Sequence, residues 1–256
     1  MTNRTGVIAR YTVLEAVRTR LPLLAFVVAI VLLAASFFVR EIAVIESARF
    51  QTAFYAAVAR VSCVIMVALY VISSVTREFQ DKGLDLVLAL DIPRSHYILG
   101  KLVGFVFIAA AAAVIASLPL AGLAGALPAT QWTISLTLEL AIVVAVSLFC
   151  VVTFNHLMPA FSFVLAFYVL ARAITAIRLI SSNPIADAGA LSHQVMARLI
   201  EALALLMPAL DSWTQTAWLF DQRPHWSTLL GLAAHTALFM LIFASAAVFD
   251  MQRRNL

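Results

Sequence analysis

Charge is what this sequence has least of: only 12% of its 256 residues are Asp, Glu, Lys or Arg, while 64% are hydrophobic. Soluble domains carry about twice that charged share and closer to half apolar residues, so much of this apolar excess has to face lipid. Cysteine is also scarce. Cys63 and Cys150 both lie inside apolar runs without metal-ligand spacing, which suggests neither a disulfide framework nor a zinc site.

Enzyme motifs are missing too. A phosphate-binding loop needs a Gly five residues before its Gly-Lys and a Ser or Thr after it, but Ser95 and Leu102 hold those places around Gly100 and Lys101. The histidines His96, His156, His193, His225 and His235 do not form His-Glu-x-x-His, and there is no Gly-x-Ser-x-Gly elbow. No catalytic residue, metal ligand or cofactor is assigned to this chain. The net charge of +4 comes from basic residues beside apolar runs, a pattern of membrane orientation rather than nucleic-acid binding.

What is present is a series of long apolar runs. A crossing takes about 20 helical residues, and apolar stretches near 21–39, 52–76, 98–122, 131–153, 156–173 and 227–249 predict an all-α polytopic membrane protein with six spans. The first run, Leu21 to Val39, resembles a signal peptide but is longer than the roughly 7 to 15 apolar residues of one, so it reads as a retained span. The whole chain, 1–256, reads as a single transmembrane domain.

Basic residues alternate in side. Arg4, Arg10, Arg18 and Arg20, then Arg77, Lys82, Arg94 and Lys101, then Arg253 and Arg254 make ten of the seventeen Lys and Arg residues. The positive-inside rule places them in the cytoplasm. Both termini are then cytoplasmic, residues 1–20 form an interfacial helix with a Val7, Tyr11, Leu14 stripe that Arg18 interrupts, and residues 174–226 lie outside.

In that outer segment, Leu199 to Leu210 is too short to cross and contains Glu201. With Asp187, Gln194, Arg198 and Glu201 on one arc and Leu191, Val195, Leu199 and Leu203 opposite, it predicts an amphipathic helix, with Pro184 at its start and Pro208 near its end. A second short helix starts near Asp211. Two roles stay open: a spacer on the membrane surface, or a lid over the outer end of a translocation path.

Three ionisable residues interrupt the spans: Arg60, Glu139 and Arg172. Counted from the predicted span ends they sit roughly 5 to 12 Å below the outer boundary. A bare carboxylate in hydrocarbon costs several kcal/mol, so Glu139 is expected to be neutral, to face water, or to pair with Arg60 or Arg172. The alternatives are an ion pair that fixes packing, arginines that snorkel outward, and a substrate-facing or gating role.

Between the second and third spans lies REFQDKGLDLVLALDIPRSHYILGK, residues 77–101. Glu78 and Lys82 stand at i,i+4, Gly83 permits a bend, Leu84 and Leu88 form a short ridge, and Pro93 breaks the run. Through Arg77, Glu78, Leu84, Asp85, Leu88, Pro93, Arg94, Gly100 and Lys101 the chain resembles the permease subunits of ABC exporters of the second type. Asp85 stands where that family often has Glu, and Gly83 where it often has Thr.

The resemblance implies that residues 77–92, within a cytoplasmic loop 77–97, form a coupling helix seated in a cytoplasmic ATPase dimer. That partner would bind ATP and Mg. It further implies a second permease copy, most simply a homodimer, in a bacterial inner membrane. Other readings are a solvated charged loop at 77–101, an ion-gradient-driven secondary transporter or channel, and a membrane scaffold that recruits a cytoplasmic protein. Direction and substrate are not readable from these residues.

Overall fold

The computed structural model describes residues 4–43, 46–80, 93–182, 198–203, 207–220 and 224–253. Seven long helices carry the fold: α1 Arg4–Arg18, α2 Leu21–Ile42, α3 Ser47–Gln80, α4 Arg94–Leu123, α5 Ala126–Phe154, α6 Leu157–Ser182 and α7 Trp226–Arg253. Six of them, α2 to α7, are long and apolar enough to span a membrane. The described residues contain no strand. The protein is an all-α polytopic membrane protein, as its apolar runs predict.

Backbone chemistry sets the breaks. In an apolar medium every N–H and C=O must bond within its own segment, so a span stays helical until a residue turns it. Arg20 turns the chain between α1 and α2 with φ 60, and Pro22 follows in the first turn of α2, where its missing N–H leaves no helical bond unmade. Gly125, at φ 96, joins α4 to α5 in a hairpin, and Asn155, at φ 57, ends α5. Gly125, with ψ 160, takes an extended positive-φ conformation that is essentially open to glycine alone, and Asn155 takes the left-handed one that Asn tolerates.

α5 is the central helix. Its span is 78% buried, against 17% for α2 and 22% for α7, and it packs on α3, α4, α6 and α7. Trp132, Leu136, Leu140, Val144, Leu148 and Val151 of α5 are fully buried or nearly so. Lipid tails are as apolar as Leu, so packing and interhelical bonds must hold the spans together. Ala56 and Ala59 of α3 and Ala109, Ala112 and Ala113 of α4 are buried small residues, and the Tyr55 hydroxyl donates to the Ala116 carbonyl at 2.8 Å across that seam.

α1 lies along the start of α4 through two glycines. A Cβ at Gly100 would sit 2.8 Å from Ile8 Cβ, and one at Gly104 would sit 2.8 Å from Thr12 Cβ. The helices are therefore too close for any side chain at those positions. Val7, Tyr11 and Leu14 are exposed, while Ala9, Thr12 and Ala16 face the bundle, because a glycine seam selects small residues on the partner helix.

Several predicted boundaries move outward. Arg77 and Glu78 are in the last turn of α3, and Arg94 to Tyr97 form the first turn of α4, so both ends of the 77–97 segment are helical. Residues 174–182, the start of the expected outer segment, continue α6 without a break. Later in that segment, residues 198–203 are helical and Leu199 and Leu203 are exposed. Pro208 precedes two short 3-10 turns, Leu210–Ser212 and Thr216–Leu219, close to the helix start expected at Asp211. Asp187, Leu191, Gln194 and Val195 lie outside the described residues.

α1, the end of α3, the start of α4 and the end of α7 share one end of the bundle, where the Arg94 guanidinium donates to the Met251 carbonyl at 2.7 Å. The 3-10 turns sit at the other end, as does Pro224, whose carbonyl accepts from Gln131 at 3.3 Å.

Candidate functional site

Two buried polar clusters stand out, one at each end. At the end shared by α1 and α7, the Lys101 ammonium is 5% exposed and bonded to the Glu78 carboxylate. Glu15 of α1 lies 3.7 Å away on its other side. Tyr97 donates to Glu78 at 2.5 Å and Ser74 donates to Glu15 at 3.0 Å. Three helices, α1, α3 and α4, meet on one cation.

This cluster borders a cleft of about 300 Å³ between α1 and the α3–α4 pair, lined by Tyr11, Thr12 and Glu15 on one side and Glu78, Tyr97 and Lys101 on the other. A buried ammonium without carboxylates would be expensive in so apolar a setting. Here the cation stands on α4, just after residues 81–92, and its carboxylates come from α3, just before them, and from α1.

Of the loop residues singled out in the sequence, Glu78 is built into this cluster, Arg94 is bonded to α7, Arg77 is exposed and Pro93 is the residue before α4. Leu84, Asp85 and Leu88 lie outside the described residues. Lys101 belongs to the family-like pattern, but Glu15, which faces it, and Tyr97, which donates to Glu78, do not. The spacing Tyr97 to Lys101 puts both on one face of α4, the one local trace of this site.

At the other end, Glu139 is 0% exposed. Its Oε1 accepts from Arg172 at 3.0 Å and from the Tyr168 hydroxyl at 2.9 Å. Of the two partners expected for Glu139, the structure selects Arg172. Arg60 instead donates to the Thr214 carbonyl at 2.8 Å, although it remains an electrostatic neighbour of Arg172, Glu139 and Tyr168.

Glu139 lies about 20 Å along α5 from Ala126 at roughly 1.5 Å per residue, near the middle of a 29-residue helix. Arg172 is likewise inside α6, which continues to Ser182. Tyr168 is a partner that sequence reasoning misses. It stands one turn before Arg172, where two polar residues at i,i+4 on an apolar helix share one face.

Among the described residues no three His, Cys, Asp or Glu side chains gather to hold a metal ion. Cys63 and Cys150 are free thiols, both buried. His235 packs edge-on against Trp213 with ring centroids 6.4 Å apart. No protein-family model matches this chain, and no curated protein matches it significantly.

Proposed function

We propose that this chain is the membrane-spanning permease subunit of an ATP-driven ABC exporter, with ATP and Mg held by a separate ATPase. The observation that carries this reading is the Glu15–Lys101–Glu78 cluster. It fastens α1 and both helices flanking residues 81–92 to one buried cation. Arg94, at the start of α4, adds a bond to the end of α7. A force applied to the 81–92 segment is therefore delivered to α1, α3, α4 and α7 together.

The family-like residues Arg77, Glu78, Leu84, Asp85, Leu88, Pro93 and Arg94 supply the reason to place an ATPase there. By the positive-inside rule this end is cytoplasmic, and a bacterial inner membrane fits the resemblance. A six-span subunit of this kind works as a dimer, here with a second copy of the chain. Purification of the full chain from its native membrane tests the proposal. An ABC ATPase should co-purify in equal amount and hydrolyse ATP faster with the permease than without it. A preparation free of any such ATPase overturns it.

A second reading, an ion-gradient-driven transporter, draws on the mid-helix position of Glu139, since buried carboxylates near the centre of spans mark ion and proton paths. Proteoliposomes containing this chain alone separate the two. Substrate movement driven by an imposed proton or sodium gradient favours the second reading, and dependence on the ATPase favours the first.

A further inference from the structure

Residues 207–220 are fastened to the spans by buried apolar side chains, among them Leu210, Trp213, Trp218 and Leu219, and by side chains of the spans that reach for their backbone. Arg172 donates to the Leu210 carbonyl at 3.1 Å and to the Thr214 carbonyl at 3.3 Å. Arg60 donates to the same Thr214 carbonyl at 2.8 Å. Leu210 and Thr214 are both 0% exposed. Thr175 donates to the Asp211 carboxylate at 2.9 Å, and Trp213 donates to Thr236 of α7 at 3.1 Å.

Bonds from a guanidinium are charge-assisted and about twice as strong as neutral ones. The carbonyls they meet belong to short turns rather than to a long helical ladder. Besides its apolar packing, the segment is thus held by two cations from α3 and α6 acting on two carbonyls.

Glu139 bonds the same Arg172 nitrogen that donates to the Leu210 carbonyl. The arrangement is asymmetric: the Arg172 side chain is 23% exposed, while Glu139 is 0% exposed. Water can replace the carbonyls on Arg172, but not the carboxylate. When the segment leaves, Arg172 keeps its counter-ion, while Arg60, only half-buried, exchanges the Thr214 carbonyl for water, so the step avoids breaking the buried ion pair.

We infer that Arg60, Arg172 and Glu139 form a latch that holds residues 207–220 closed over the far end of the bundle. Opening exchanges the arginine–carbonyl bonds for water while the Glu139–Arg172 pair stays intact. Arg60 and Arg172 are the latching residues and Glu139 is a positioning residue. Only the purpose of the opening, release of cargo at that end, rests on the transport reading.

The experiment uses Thr214→Cys in the full chain in detergent, reacted with a membrane-impermeant maleimide and read by peptide mass spectrometry. Among the described residues the Thr214 hydroxyl has no hydrogen-bond partner, so the substitution removes no bond of that side chain. Native Cys63 and Cys150, 4% and 0% exposed, report any general loosening of the bundle. The introduced thiol should react slowly in the otherwise unchanged chain. It should react about tenfold faster or more with Arg172→Gln, Arg60→Gln or Glu139→Gln, the scale of a local opening that loses one charge-assisted bond. Cys63 and Cys150 should stay unreactive.

Unchanged reactivity of the introduced thiol in all three variants overturns the latch. If a Gln variant also exposes Cys150, Arg172→Lys decides, because it keeps a cation on Glu139 but loses the planar fork that reaches two carbonyls. Faster labelling of the introduced thiol alone in that variant supports the latch, and no change overturns it. Since labelling does not involve ATP, failure to find an ATPase partner would remove the exporter reading without touching this result.

Discussion

Gly104 of α4 and Thr12 of α1 approach so closely that a Cβ on the glycine would lie 2.8 Å from the threonine Cβ and 3.0 Å from the Ala9 carbonyl oxygen. Gly100 meets Ile8 in the same way one turn earlier. The basic N-terminal helix is therefore packed directly against a span, with its apolar stripe turned outward.

The first expected outcome concerns this seam. Gly104→Ala should lower thermal stability by about 1 to 3 kcal/mol through overpacking, even though alanine is the better helix former by about 1 kcal/mol. Gly231→Ala is the control, because a Cβ there meets nothing within 4 Å; it should be neutral or slightly stabilising. Melting curves of the purified chain check both. Equal melting temperatures for the two variants would mean that α1 does not sit on α4.

The second concerns Lys101. Lys101→Met leaves Glu78 and Glu15 facing each other without their cation, and breaking such a buried pair costs about 3 to 5 kcal/mol. Glu78 and Glu15 are 29% and 33% exposed, so water recovers part of this and the loss should fall below that range. Adding Glu78→Gln to Lys101→Met should restore much of the stability while leaving ATP-driven activity low, if the cluster transmits force from residues 81–92. Full recovery of both would make the cluster a packing device alone.

The number of spans was legible because a chain cannot put about 20 consecutive apolar residues anywhere but in lipid or a core. Leu21, Arg94 and Trp226 open helices within a few residues of where the apolar runs begin. The polar partners were not legible in the same way. Arg172 finds Glu139, Leu210 and Thr214, and two of these are backbone carbonyls that no side-chain pattern encodes. Lys101 finds Glu15, far away along the chain, only because Gly100 and Gly104 bring α1 close. The choice between Arg60 and Arg172 as the partner of Glu139 depended on helix facing, which neither span length nor burial cost determines.

A third outcome tests orientation. Asp187→Cys, in the excursion between α6 and α7, should be labelled in intact cells by an impermeant maleimide, and Gln252→Cys at the end of α7 only after the cells are opened. The reverse pattern would invert the topology that the basic clusters imply. It would also separate residues 81–92 from any cytoplasmic ATPase.

A fourth uses Leu88, which lies outside the described residues but on the short apolar ridge expected to seat in the ATPase. Leu88→Asp should leave folding and membrane insertion unchanged while cutting permease-stimulated ATP hydrolysis by about tenfold or more, because a charge in an apolar groove costs several kcal/mol. Retained hydrolysis would move the docking surface elsewhere on this end of the bundle.

The last outcome separates the two arginines by their bonds to Glu139. Glu139 accepts from Arg172 at 3.0 Å, whereas Arg60 is spent on the Thr214 carbonyl at 2.8 Å. Glu139→Gln alone leaves the Arg172 cation without its carboxylate, and removing one member of a buried pair costs about 3 to 5 kcal/mol. Because Arg172 is partly exposed, the loss should fall at or below the lower end of that range. Glu139→Gln with Arg172→Gln removes both charges and should be more stable than Glu139→Gln alone, giving a coupling of about 1 to 3 kcal/mol in a double-mutant cycle. Glu139→Gln with Arg60→Gln should show a much smaller coupling, since those two side chains interact across space without a shared hydrogen bond. Glu139→Asp keeps the charge but shortens the reach, and should fall between wild type and Glu139→Gln. Thermal unfolding of the wild type, the single variants and the double variants in one detergent at one pH supplies all the terms. Equal coupling of Glu139 to Arg60 and to Arg172 would mean that the carboxylate is shared between them rather than held by α6.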